Sequence, residues 1–294
     1  MPIFTGAGTA IVTPFKQDMG VNYDMFEQLI EFQIKGGISA IIVCGTTGEA
    51  ATLTYDERKE LVRFAVERAK GRVPIVAGGG SNSTVTSIKL CLDAQSVGAD
   101  ALLCVTPYYN KTTQKGLVAH YTAIADAVDL PIIAYNVPGR TGLNVEAETV
   151  LALSKIPKIV GIKESAGDIV QTARIAALCG DSFDIYAGNC NEILPTLSLG
   201  GIGCISVLGN VAPAAISGIV ANFNKGDIIA ARKLQLEAID IIDKLFCEVN
   251  PMPVKAMLNM MGYAVGECRL PLTTLEDESV VKIEAAMKQY GLIK

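Results

Sequence analysis

Lys163 lies in Ile159-Val160-Gly161-Ile162-Lys163-Glu164-Ser165, an amine at the end of a run otherwise made of apolar residues and glycine. An ammonium is costly to bury, and burial of an amine disfavours its charged form. A buried neutral amine is a nucleophile suited to forming a Schiff base with a carbonyl substrate. Lys35, Lys70, Lys89 and Lys233 lie in polar-rich segments and read as solvated helix faces, which leaves Lys163 as the odd one out. Other groups that could serve such chemistry are the hydroxyls of Thr46, Thr47 and Tyr135. Arg140 adds a guanidinium fork able to grip a carboxylate in bidentate fashion. A carbinolamine on Lys163 must lose water, which needs proton transfers, and Tyr135 is a suitable donor and acceptor. The implied substrates are an α-keto acid and a second molecule bearing an acid group. Glu49 and Glu164 read as structural hydrogen-bond acceptors rather than as acids or bases.

These residues need a scaffold that brings them to one place. Short apolar runs recur at Gly8–Val12, Ala40–Cys44, Ile75–Gly78, Ala101–Val105, Ile132–Tyr135, Ile159–Lys163, Asp184–Ala187 and Cys204–Val207. Each is too short for a helix and reads as a strand covered on both faces. Segments with helical spacing lie between them. One holds Leu61, Val62, Ala65, Val66 and Ala69, after the capping-box pattern Thr54-x-x-Glu57. Asn144 and Asp168 sit where helix N-caps are expected. Eight such alternations predict an α/β chain, a (β/α)8 TIM barrel over residues 1–225. The reactive groups then follow strands two, four, five, six and seven, on the rim where barrel active sites form. A doubly wound sheet lacks support, because no glycine-rich loop follows the first strand. Gly78-Gly79-Gly80 reads as close packing at the barrel rim. Beyond residue 225 no strand candidate remains. Residues 226–294 read as a C-terminal helical domain: one long helix to about Glu248, an interruption at Asn250-Pro251-Met252-Pro253, then two further helices. Met257, Met260 and Met261 read as ordinary core.

Composition narrows the function classes. The chain has 294 residues, half of them hydrophobic and 19% charged, which suits a compact enzyme better than a disordered chain. A net charge of −5 without any Lys/Arg block excludes a nucleic-acid footprint. No membrane span is expected, because the most apolar stretch, 203–223, is broken by Asn210 and Pro213. The first residues show no signal-peptide pattern, so a cytoplasmic location is expected. The eight cysteines are dispersed without a C-x-x-C pair and read as small buried side chains of a reducing compartment. They and the single histidine, His120, offer no metal cluster, so neither metal nor cofactor is expected. His120 itself reads as a helix residue rather than a catalytic base.

Gly45-Thr46-Thr47-Gly48-Glu49, Tyr135-Asn136-Val137-Pro138-x-Arg140-Thr141-Gly142 and Gly161-Ile162-Lys163-Glu164 together resemble the dihydrodipicolinate synthase family of pyruvate-dependent class I aldolases. The resemblance spans essentially the whole chain. It implies that Lys163 forms the Schiff base with pyruvate. It further implies that Tyr135 shuttles protons, linked through Thr47 to Tyr109, which reaches into a neighbouring subunit's site. Arg140 would bind the carboxylate of L-aspartate 4-semialdehyde, and Thr46, Thr47, Gly188 and Ile205 would line the pyruvate pocket. The implied assembly is a homo-oligomer with a dimer unit, arranged as a dimer of dimers. The alternative is a sister aldolase acting on N-acetylneuraminate or 2-keto-3-deoxy sugar acids, which must accommodate a polyol and tends to lack the arginine. Many relatives bind lysine as an inhibitor in a dimer cleft that corresponds to Ala51, Arg58, Asn82, Thr86 and Tyr108. The effector-binding glutamate falls at Thr86 and a histidine of the cleft at Arg58, a charge pattern wrong for a cation. Lysine inhibition is therefore expected to be weak or absent.

Overall fold

The computed structural model describes residues 2–294; Met1, the first residue of the expected barrel unit, lies outside the described residues. Eight parallel strands close in sequence order: β1 (Gly6–Ala10), β2 (Ala40–Val43), β3 (Ile75–Gly78), β4 (Ala101–Val105), β5 (Ile132–Asn136), β6 (Ile159–Glu164), β7 (Asp184–Ala187) and β8 (Gly203–Ser206). β8 returns to β1 with Gly6 opposite Gly203 and Gly8 opposite Ile205, which leaves no open edge. The crossover helices are α1 (Tyr23–Lys35), α2 (Tyr55–Ala69), α3 (Thr84–Ser96), α4 (Gln114–Ala127), α5 (Pro138–Thr141), α6 (Ala147–Leu153), α7 (Ile169–Cys179), α8 (Ile193–Ser198) and α9 (Pro213–Asn224). The expected (β/α)8 architecture is the one found.

Each strand turns one set of side chains inward and the other toward the helices. Ala10, Ile42, Val76, Leu103, Ile133, Tyr135, Tyr186 and Ile205 pack in the barrel interior. Ile41, Leu102, Ile132, Ile162 and Ile185 pack outward in the layer beneath the helices. The phase of β6 is set by an irregularity. Ile132 pairs with Ile159, but the next pair is Ile133 with Gly161, so Val160 is an extra residue. Ile159 and Ile162 both face outward in consequence, and Lys163 pairs with the inward-facing Tyr135 and Tyr186. Without the bulge a regular alternation would turn Lys163 out of the barrel.

Several local expectations were met and some were not. Thr54 and Glu57 form the capping box, and the Asp168 side chain caps α7. Asn144 does not cap: α6 starts after Glu146, and the Asn144 side chain bonds to Asn136 and Gln171 instead. The Gly78-Gly79-Gly80 run packs tightly at the rim, since a Cβ on Gly78 would lie 2.0 Å from the Cys44 carbonyl oxygen. Six of the eight cysteines are buried, but Cys247 is exposed. His120 stands on α4 with Nδ1 2.9 Å from Thr84 Oγ1, and burial pushes its pKa below the usual histidine value.

The last part of the chain is helical, in shorter pieces than expected. A break at Ala238 divides the first stretch into α10 (Ile228–Glu237) and α11 (Ile239–Leu245). After Asn250-Pro251 come α12 (Met252–Met260) and α13 (Asp277–Tyr290). Met257 is fully buried, while Met260 and Met261 are partly buried against the same core. That core runs without interruption from the barrel's outer layer through Val254, Leu258, Ile283 and Met287. The division at 225/226 that we propose is therefore a change of element type, not a gap in packing. No helix among the described residues is long and apolar enough to cross a membrane.

Candidate active site

The C-terminal rim of the barrel holds a cavity whose wall includes Thr46, Thr47, Tyr135, Arg140, Lys163 and Gly188. Lys163, from the end of β6, is 5% exposed, with Nζ 4.3 Å from the centroid of the Tyr135 ring. β5 brings Tyr135 there by register, opposite Lys163 itself. The amine thus has an aromatic face beside it and the cavity in front of it.

The Thr46-Thr47 pair comes from the turn after β2. Two non-glycine residues in left-handed backbone bracket this turn, Cys44 at φ 56° and Glu49 at φ 55°. Such conformations are uncommon and persist where the surroundings enforce them. The Glu49 N–H donates to the Thr46 carbonyl at 3.0 Å, which closes the turn. Thr47 is buried, and its Oγ1 accepts a hydrogen bond from Asn250 Nδ2 at 3.0 Å. With that lone pair engaged, the Thr47 O–H remains free to donate toward the cavity. Arg140 sits on α5, a single turn that starts at Pro138 and ends at Gly142 in left-handed backbone. Its Nη2 lies 3.4 Å from the Asn250 carbonyl oxygen, so the guanidinium is held in the cavity wall.

Residues 3–290, nearly the whole chain, match the pattern of the dihydrodipicolinate synthetase family. The chain belongs to the dihydrodipicolinate synthase family. It is 52% identical over 295 residues to the 4-hydroxy-tetrahydrodipicolinate synthase of Thermoanaerobacter sp. (strain X514), covering 100% of this chain and 99% of that relative. A crystal structure of the chloride-inhibited dihydrodipicolinate synthase from Acinetobacter baumannii, complexed with pyruvate, superposes with a TM-score of 0.96. Its identity is 42%, with 98% of this chain and 99% of that chain covered. The dihydrodipicolinate synthase from Cyanidioschyzon merolae with lysine bound superposes with the same score at 40% identity, with both chains fully covered.

The remaining expected site residues divide. Gly188 is in the cavity wall, and its N–H donates to the Glu164 carbonyl at 2.7 Å. Ile205 is fully buried in the barrel interior, and Val207, two residues further on, forms the wall in its place. Tyr109 does not reach the cavity of its own chain. It is 91% exposed, on left-handed backbone at φ 70°. Of the effector-cleft residues, Ala51, Arg58 and Tyr108 line a second cavity that adjoins the first and shares Thr46, Tyr135, Arg140 and Asn250 with it. Asn82 and Thr86 are outside that wall. The Asn82 carbonyl accepts from Asn110 Nδ2, and Thr86 lies in the first turn of α3.

Both glutamates are structural, as expected. Glu164 accepts from Asn136, Gln171 and the Ala166 N–H. Burial raises its pKa above the usual carboxylate value, and those hydrogen bonds oppose the shift. Glu49 forms an ion pair with Lys255 at 2.8 Å, both side chains being almost wholly buried. Burial pushes the Lys255 pKa down and Glu49 pulls it up, with burial the larger effect. Lys163 is therefore not the only buried lysine, and sequence reasoning missed Lys255. Its position within Met252-Pro253-Val254-Lys255-Ala256-Met257-Leu258, an apolar helical stretch, was the available signal. Asn250 was read as part of a helix break and not as a cavity residue. Ser165 was also missed; it lines the cavity with its hydroxyl buried and unpartnered among the described residues.

Proposed function

We propose that Lys163 is the Schiff-base lysine of this enzyme, which condenses pyruvate with L-aspartate 4-semialdehyde in the diaminopimelate route to lysine. Its Nζ attacks the pyruvate carbonyl, and Tyr135 moves the protons that let the carbinolamine lose water. The Thr46-Thr47 turn receives the pyruvate carboxylate, with the free Thr47 O–H as one donor. Loss of a methyl proton gives the enamine, whose carbon adds to the aldehyde of the second substrate. Arg140 at the entrance holds that substrate's carboxylate. Attack by the substrate's own amine on the imine carbon closes the ring and expels the Lys163 amine. The observation that carries this reading is one buried amine in the same cavity as an aromatic hydroxyl, a threonine pair and a guanidinium. The relatives' shared activity disfavours the sugar-acid lyase alternative.

The reading extends to assembly. An aromatic side chain as exposed as Tyr109, on constrained backbone, suits insertion into a neighbouring subunit, so a homodimer unit within a dimer of dimers is part of the proposal. A cytoplasmic location, in keeping with relatives that are biosynthetic enzymes, completes it. Borohydride reduction with pyruvate followed by peptide mass mapping tests the core claim. An adduct on Lys163 that disappears in Lys163→Ala is expected; an adduct on another lysine overturns the assignment.

A further inference from the structure

A buried ion pair lies at the Glu49 end of the Thr46-Thr47 turn, outside the wall of the cavity that holds Lys163, with Glu49 lining the adjoining cavity. Glu49 Oε1 accepts from Lys255 Nζ at 2.8 Å, and Oε2 accepts from the Arg269 N–H at 2.9 Å. Lys255 Nζ also donates to the Glu267 carbonyl at 2.7 Å and lies 4.3 Å from the centroid of the Phe15 ring. Every strong acceptor and donor of the pair is thus engaged. Glu49 is also the residue whose N–H closes the turn on Thr46 and whose backbone is left-handed. Five residues before Lys255 and just ahead of α12, Asn250 reaches the same turn from the cavity side through Thr47 Oγ1. The 250–255 segment therefore fastens the turn at two points, one neutral at Thr47 in the Lys163 cavity, the other ionic at Glu49.

A buried ion pair is a poor way to gain stability, since an apolar pair of similar volume often does as well or better. It is a better way to fix geometry, because removing one partner strands a charge and only one arrangement satisfies both. We propose that Glu49 and Lys255 are a positioning pair for the reaction: their ion pair locks the Thr46-Thr47 turn to α12 and so sets where the keto acid lies relative to Lys163. This rests on the Schiff-base reading above. Neither residue is in the wall of the Lys163 cavity; both act through the turn.

The test compares wild type, Lys255→Met and the double variant Glu49→Leu/Lys255→Met in the full-length enzyme. Melting temperature, kcat, KM for pyruvate and the rate of borohydride-trapped pyruvate adduct formation are measured for each. The single variant is expected to lose both melting temperature and activity. The double variant is expected to regain the wild-type melting temperature to within a few degrees, yet to form adduct about tenfold more slowly at saturating pyruvate, as displacement of the turn by a fraction of an ångström implies. A double variant with wild-type kcat and adduct rate shows that the pair only packs the fold, and overturns the proposal. If the double variant does not fold, Glu49→Gln replaces it, with hydrogen exchange read at the amides of residues 45–49. Faster exchange there together with reduced kcat supports the proposal, and unchanged exchange or unchanged kcat overturns it. An adduct away from Lys163 in the wild-type control would instead refute the Schiff-base reading, a distinguishable failure.

Discussion

Gly188 joins two strands at the point where Lys163 leaves the barrel, and replacing it by alanine should damage the proposed site more than the fold. A Cβ there would lie 1.8 Å from Ser165 Oγ, 3.0 Å from Ser165 Cβ and 2.7 Å from the Glu164 carbonyl oxygen. The serine hydroxyl can rotate away at little cost. The carbonyl cannot, because it belongs to β6 immediately after Lys163 and already accepts the Gly188 N–H. It must retreat from 2.7 Å to at least 3.0 Å to be tolerated at all, and to 3.4 Å for ordinary contact. Overpacking of this kind costs about 1–3 kcal/mol. In a chain of this size each kcal/mol lowers the melting temperature by about 2–4 °C. The catalytic effect follows from the same displacement. If about 1 Å of misplacement costs a hundredfold, a shift of a few tenths costs about five- to twentyfold in kcat. Thermal melts and steady-state kinetics on Gly188→Ala measure both quantities. Adding Ser165→Gly removes the side-chain clash and leaves the carbonyl contact, so it should recover part of the melting temperature and little of the rate. Wild-type kcat in Gly188→Ala, or full recovery of rate by the second substitution, would refute the argument.

Acid stability should depend on Glu57, whose carboxylate accepts two hydrogen bonds from the Arg269 guanidinium. That interaction holds its pKa down at about 2, so its stabilising contribution is complete above the ordinary glutamate pKa and is lost as pH falls toward 2. Glu57→Gln should therefore melt below wild type at neutral pH, with the gap closing between about pH 4.5 and 2; a gap constant across that range would contradict this. Mixing Lys163→Ala with Tyr109→Phe protein should restore activity in hybrid dimers, each with one site that has both native residues, and no recovery would rule out a tyrosine shared between subunits. With arginine at position 58 and threonine at position 86, inhibition by L-lysine should be weak or absent in a rate titration; appreciable inhibition at sub-millimolar lysine would contradict the charge argument.

The barrel was legible because each strand is a short apolar run and each following helix is periodic. Boundaries drifted where apolar residues continue past the ladder. The first strand was expected at Gly8–Val12 but ends at Ala10, and the Val12 N–H bonds to Asn210 Oδ1 instead of a neighbouring strand. Lys163, Tyr135, Thr47 and Arg140 stood out because polar groups at strand ends have few bland uses in a buried sheet. Lys255 and Asn250 did not. Their partners are Glu49 and Thr47, more than 200 positions away, and no local pattern encodes such a pairing. Nor is the extra residue at Val160 visible in composition or period, although it determines which way Lys163 points. Asn144 was read from its type and its position before a helical run. Its amide, though, has better partners across the rim than at the helix end.

The fastening of the β2 turn by Asn250, Lys255 and Arg269 also bears on how the enzyme comes into being. These contacts close sequence separations of 203, 206 and 220 residues, among the longest in the chain. Contacts of such separation carry a high loop-closure cost and form late. During synthesis the eighth strand is complete at Ser206, and at about 5–20 residues per second Arg269 follows roughly 3–13 s later. In that interval a nascent chain holds Lys163 in a barrel whose Thr46-Thr47 turn is untied. Completion of the C-terminal helices then fastens that turn, so the proposed keto-acid site is assembled only after every barrel strand is in place.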